Sequence, residues 1–110
     1  MGLFDNIKKT ISAAGEDFTE AYEWAMAQDI MDLHKAMKET KLTEVVKVNG
    51  YKAAFREKCQ PLDNKTLKQL HKEVNRGFSL KTNHASEIIE DILVQRGVFS
   101  RDKDGTILEF

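Results

Sequence analysis

The stretch from Asn64 to Phe110 constrains the fold most, because it carries two helical patterns, a turn and two strand patterns in close succession. In NKTLKQLHKEVNR, Leu67, Leu70 and Val74 recur at i, i+3 and i+7, which places them on one helical face. Asp63 or Asn64 can cap the start of this helix, and Gly77 can sit just past its end. In NHASEIIEDILVQR, Ala85, Ile88, Ile89, Ile92 and Leu93 form one apolar stripe, with Gly97 as the C-terminal stop. VFSRDKDGTILEF then reads as strand, polar turn and strand, with Gly105 free to take the positive φ that such turns need.

This order resembles a winged helix-turn-helix. Gly77-Phe78-Ser79 stands where that family has its turn, Arg96-Gly97-Val98-Phe99 where the second helix leaves for the wing, and Asp102-Lys103-Asp104-Gly105 at the wing tip. The first core residue after the turn, Ala85, comes about two positions later than in a tight helix-turn-helix. The second helix is therefore expected to start near Thr82 or Asn83. The resemblance covers less than half of the chain. It implies a mainly α-helical domain closed by a two-stranded hairpin, and DNA binding by the second helix.

Charge divides the chain into two regions. Residues 1–40 hold eight acidic and four basic side chains, whereas residues 41–110 hold ten acidic and thirteen basic ones. Glu16, Asp17, Glu20, Glu23, Asp29 and Asp32 lie in a run without Lys or Arg, and ten basic residues fall between Lys41 and Lys81. We therefore read 1–40 as an arm or dimerisation region, made of an amphipathic helix and a long acidic helix, and 41–110 as a basic body. An acidic arm beside a basic body indicates internal pairing or an anion-binding body, and two ordinary solvated faces are an equal alternative.

Leu3, Phe4, Ile7, Ile11 and Phe18 share one helical face at the start of the chain, a face suited to a membrane surface, to the rest of the domain or to a second copy. From Glu16 to Lys38 there is no glycine or proline, so a single helix of about 36 Å is expected, with Phe18, Tyr22, Ala25, Ile30, Leu33 and Met37 as its apolar side. That length favours a partner helix, hence a homodimer. Thr43 to Cys59 admits two readings. Val45 to Tyr51 around Asn49-Gly50 has a hairpin signature; the competing reading is a short helix ended by Asn49-Gly50 and a second from Tyr51 to Cys59, and Ala53, Ala54 and the charged run after them favour helix, in one or two pieces.

Catalysis and metal binding are not expected. His34, His71 and His84 lie on separate elements, and the six glycines are scattered, so neither a zinc site nor a phosphate loop is legible. Cys59 reads as buried and inert, and His71 as solvent-facing. One cysteine cannot make an internal disulfide, which gives a cytoplasmic expectation. No cofactor is called for.

The leading expectation is DNA binding. Lys81, Thr82, Asn83 and His84 would start the groove-facing helix, Lys65, Lys68, Lys72 and Arg76 would contact phosphates from the preceding helix, and Arg101 and Lys103 would do so from the wing. Against it, the outward face of the second helix would carry Ser86, Glu87, Glu90, Asp91 and Val94, and carboxylates repel phosphate. The alternatives are a protein adaptor or inhibitor acting through acidic residues 16–39 on a partner's basic groove, and a membrane-surface protein anchored by the first helix.

Overall fold

The computed structural model describes residues 13–41, 43–77 and 82–109, without the side chains of 13–16. Five helices come first: α1 (Ala13–Met26), α2 (Ile30–Glu39), α3 (Val45–Cys59), α4 (Asn64–Asn75) and α5 (His84–Gln95). Two antiparallel strands follow, β1 (Phe99–Arg101) and β2 (Ile107–Glu109), in the register Phe99↔Glu109, Ser100↔Leu108 and Arg101↔Ile107. Among the described residues no helix is long and apolar enough to cross a membrane.

The expected long acidic helix is two helices. The backbone tightens after Ala25, with the Ala27 and Gln28 amides donating to the Trp24 and Ala25 carbonyls. Asp29 then caps α2, its carboxylate accepting from the Met31 amide at 3.2 Å. An aspartate at a cap satisfies a donor that a continuing helix would not leave open, which tips the balance against continuation. The break lets Ala21 and Ala25 face α3 while Leu33 and Met37 turn into the core. Phe18, expected on the inward side, is instead 38% exposed and stacks on Tyr22 with ring centroids 6.4 Å apart.

The middle segment is one helix, neither a hairpin nor two helices divided at Asn49-Gly50. Asn49-Gly50 lies inside α3, where Gly50 marks a close crossing with α1. A Cβ at Gly50 would lie 2.8 Å from the Phe18 carbonyl oxygen and 2.9 Å from the Ala21 Cβ. The missing side chain lets the two backbones approach, and that requirement outweighs the usual cost of glycine in a helix.

The second half follows the sequence closely. Asp63 caps α4 by accepting from the Thr66 amide at 2.7 Å, and Asn83 caps α5 by accepting from the Ser86 amide at 3.1 Å. α5 therefore starts late, as the position of Ala85 requires. At its other end the Val98 amide donates to the Leu93 carbonyl and the Gly97 amide to the Val94 carbonyl, around Gly97 at φ +75°. This pair of hydrogen bonds is the Schellman stop, and it needs a residue that tolerates the left-handed region. In the hairpin, the Asp102 carboxylate accepts from the Asp104 and Thr106 amides, both at 2.9 Å, which shapes the turn.

α5 is the centre of the molecule, packing against α2, α3, α4 and β1. Ile89, Ile92 and Leu93 of α5 join Leu33 of α2, Phe55 of α3 and Leu67 and Val74 of α4 in one core, and Ala21 and Ala25 of α1 belong to the same cluster. Its expected outward face is largely occupied. Ser86 is buried, Glu90 is half-buried beside His71, and Asp91 pairs with Arg101 at 2.6 Å and Arg56 at 3.6 Å. His71 is accordingly not solvent-facing, and its ring meets Phe99 edge-on with centroids 5.6 Å apart.

A remote residue closes the corner between α3 and α4. The Arg96 guanidinium donates to the Gln60 and Leu62 carbonyls, both at 2.8 Å, and to the Asn64 side-chain oxygen at 3.0 Å. Those carbonyls flank Pro61, which ends α3 and leaves them without helical partners.

Candidate functional site

Two surfaces are candidates for a binding site: the basic surface built on α4, α5 and the hairpin, and a groove between α1 and the start of α3. On the first, the expected cations are scattered in role. Lys68 bonds Glu109 at 2.5 Å, holding β2 to α4 and drawing the Glu109 carboxyl below its ordinary range. Arg76 pairs with Glu73 at 3.0 Å on its own helix, and Arg101 is held by Asp91. Lys65, Lys72, Thr82 and Lys103 are exposed, Asn83 is committed to the α5 cap, His84 is half-buried, and Lys81 lies outside the described residues. Within α5 the exposed side chains are Glu87 and Gln95.

The His71–Glu90–Ser86 cluster has the residue types of a hydrolytic triad but the wrong order. Glu90 Oε2 lies 2.8 Å from His71 Nε2 and accepts from Ser86 Oγ at 2.7 Å, so the carboxylate occupies the middle. A nucleophilic serine needs the imidazole beside its hydroxyl to take the proton. Asn75 Nδ2 completes the network by donating to Ser86 Oγ at 3.0 Å and to the His71 carbonyl at 2.8 Å, and Asn83 Nδ2 donates to the Val74 carbonyl at 3.0 Å. These bonds satisfy the polar groups at the α4–α5 seam, where an unpaired group would be costly. Cys59 is fully buried and its thiol is pushed up to about 12, chiefly by burial, which leaves it without thiolate character at neutral pH. Among the described residues no cluster of His, Cys, Asp and Glu could hold a metal ion.

The groove has a volume of about 690 Å³. Its α1 wall is Asp17, Glu20, Ala21 and Trp24, which recur at three- and four-residue spacings and so share a helical face. Its other wall is the entry to α3, with Val45, Val46, Lys47 and Tyr51. Trp24 is 46% exposed and its ring lies 5.2 Å from that of Tyr51, while Val45 is 56% exposed. Lys47 is engaged locally, 3.5 Å from Glu44 and 6.0 Å above the Tyr51 ring. Asp17, Glu20 and Glu23 have no described cation within ion-pair distance. The groove thus offers an aromatic and β-branched floor beside an acidic edge.

The chain matches no protein-family model, and comparison with curated proteins and with solved structures finds no match either. The geometry alone carries the functional reading.

Of the acidic residues singled out in the sequence, Asp17 and Glu20 line the groove, Glu23 is exposed on α1, and Asp29 is the α2 cap. Asp32 sits beside Asp29, which holds its carboxyl above the ordinary range by a hydrogen bond and by like charge. The Glu16 side chain and residues Leu3, Phe4, Ile7 and Ile11 lie outside what the structure describes. The residues that sequence reasoning missed are Trp24, Val45, Val46 and Tyr51.

The remaining histidines make stability depend on pH. Burial, then the nearby Lys38, holds His34 below its ordinary pKa; burial, then Lys52, does the same to His84, with Glu87 opposing. His84 Nδ1 is buried without a hydrogen-bond partner among the described groups. Below about pH 6.5 the unfolded chain binds these protons first, so stability present above that pH is lost on acidification towards the lowered folded-state values. Urea midpoints should therefore be lower at pH 5.5 than at 7.5, with a smaller gap in His34→Gln/His84→Gln. An equal gap in the two proteins would contradict this assignment.

Proposed function

We propose that the protein is a non-enzymatic protein-binding module whose α1–α3 groove takes a basic amphipathic helix from a partner. The observation that carries this reading is the pairing of Trp24, Tyr51 and Val45 with the acidic edge of Asp17 and Glu20. A helix with one apolar stripe flanked by Lys or Arg presents the complementary surface, and exposed aromatics in a pocket are the usual anchors of such contacts. The acidic edge sets orientation and on-rate more than affinity, since exposed charge pairs contribute little each. The adaptor function expected of acidic residues 16–39 is kept and assigned to α1 and its groove, with Asp17 and Glu20 as the acidic residues that line it.

Nucleic-acid binding and the winged-helix assignment retain exposed Lys65, Lys72 and Lys103 in their favour. Against them, α5 is enclosed by α2, α3, α4 and β1, and a recognition helix needs a face free to enter the groove. The same experiment separates the readings. The emission of Trp24, the sole tryptophan, is followed as a basic Lys/Leu helical peptide, an acidic Glu/Leu counterpart or random duplex DNA is added. The basic peptide should shift the emission, and Asp17→Lys/Glu20→Lys should weaken binding about tenfold, as expected for two reversed surface charges. Salt-sensitive DNA binding lost in Lys65→Glu/Lys72→Glu, with no response to the basic peptide, would transfer the function to nucleic acid.

A further inference from the structure

We infer that Lys47 gives the groove a direction: it selects a partner helix with a basic flank towards α1 and an acidic flank towards α3, and so fixes which way that helix lies. This inference rests on the groove reading above and narrows the partner that the groove takes. Among the described residues that line the groove, Lys47 alone is a cation. It stands on the α3 wall, whereas Asp17 and Glu20 stand on the α1 wall with no described cation within ion-pair distance. Tyr51 joins the two sides, its ring 5.2 Å from that of Trp24 on α1 and 6.0 Å from Lys47 Nζ. The two walls therefore differ in charge across a shared aromatic floor.

Lys47 is held in place yet still available. Its contact with Glu44 is 3.5 Å long and joins two half-exposed side chains, the kind of pair that contributes little. An ammonium carries three donors, so a partner's carboxylate can add to this contact without displacing it. The Tyr51 ring and Glu44 together restrict the flexible lysine stem, and less order is then lost when a partner arrives. The start of α3 adds charge of the same sign, since Glu44 at its cap makes no side-chain bond to the first amides. A helix seated apolar side down exchanges its two flanks when its direction is reversed. With Lys on both flanks it can lie either way. With Lys on one flank and Glu on the other, one direction alone sets Lys against Asp17 and Glu20 and Glu against Lys47, as flanking charges set orientation in paired helices.

The test follows Trp24 emission in the full chain with two helical peptides that share one Leu stripe. One is the basic peptide, with Lys on both flanks, and the other is a mixed peptide, with Lys on one flank and Glu on the other. In Lys47→Met the mixed peptide should bind about two- to fivefold more weakly, the range of one exposed ion pair, while the basic peptide binds at least as tightly. Lys47→Glu should widen that divergence. A general loss of structure would weaken both peptides alike, so an equal change for both peptides, or no change for either, would overturn the inference. An acceptor dye on one terminus of the mixed peptide reads the direction, because Trp24 is the last residue of the α1 wall. Energy transfer from Trp24 should differ between N- and C-terminal labels, and the difference should reverse when the Lys and Glu flanks are exchanged. Equal transfer to both termini would also overturn the inference. Failure of both peptides to shift Trp24 emission in wild type and variants would instead remove the groove reading itself.

Discussion

Phe55→Ala is expected to lower stability by about 3–5 kcal/mol, the usual cost of deleting a fully buried phenylalanine. Phe55 is wholly shielded from solvent and heads the fully buried side chains by volume. It sits on α3, the helix that packs against α1, α2 and α5, so the cavity would open where three elements meet. Those neighbours are fixed by caps and by the Arg96 clamp, which limits how far they can collapse into the space. Domains of this size unfold with about 5–15 kcal/mol, so the variant should stay folded only under mild conditions. Its thermal midpoint should fall by roughly 12–40 °C, given roughly 4–8 °C per kcal/mol. A loss below 1 kcal/mol would mean that the core around α3 is looser than its burial implies.

Gly50→Ala should have the opposite sign from the same change elsewhere in a helix. In an exposed helix the replacement gains about 1 kcal/mol from propensity. Here the new Cβ would lie 2.8 Å from a backbone oxygen of α1 and 3.1 Å from the Tyr22 amide nitrogen, atoms that move only if the helix moves. Overpacking of this kind costs about 1–3 kcal/mol, so after the propensity gain a net loss of about 1 kcal/mol is expected in urea unfolding. Asn49→Ala, one position earlier and exposed, is the control and should be neutral or slightly stabilising. A Gly50→Ala protein as stable as the wild type would show that α1 and α3 do not cross this closely. The groove is formed by that crossing, so the variant should also weaken binding of the basic peptide.

The C-terminal half was readable because its signals are local. Asp63, Asn83, Gly97 and Asp102 each act on backbone groups within a few residues. Asp63 and Gly97 perform the expected capping and stop roles, Asp102 shapes the expected turn, and Asn83, expected as a nucleic-acid contact, caps the helix whose late start was expected there. The mainly helical architecture and the closing hairpin follow from those signals. The first half misled where one residue type serves two purposes. Asp29 read as one more acidic residue in a helix, although the five-residue step from Ala25 to Ile30 already breaks the 3.6-residue period. Asn49-Gly50 carries a turn signature, yet glycine there permits helix contact, and only the presence of α1 decides between them. On α5, Ser86, Glu90 and Asp91 read as a solvated face because their partners, Asn75, His71, Arg56 and Arg101, come from three other elements.

The groove was half legible. Asp17, Glu20 and Trp24 share a helical face in the sequence, and an exposed tryptophan among carboxylates is a binding signal. Its second wall comes from residues 43–51, and no periodicity links the two. That pairing depends on the turn at Asp29 and the crossing at Gly50.

The Arg96 clamp carries a consequence for how the chain is assembled as it is made. The α3–α4 corner is held locally by the Leu62 amide donating to the Cys59 carbonyl, but the Gln60 and Leu62 carbonyls and the Asn64 side chain await a fastener synthesised more than thirty residues later. Until α5 emerges, Leu33, Phe55 and Leu67 also lack the helix that shields them. A growing chain stalled before α5 would therefore display apolar surface, and such surface invites chaperones or aggregation. Vectorial folding of this protein is thus settled late, when a single helix arrives at the middle of a structure already waiting around it.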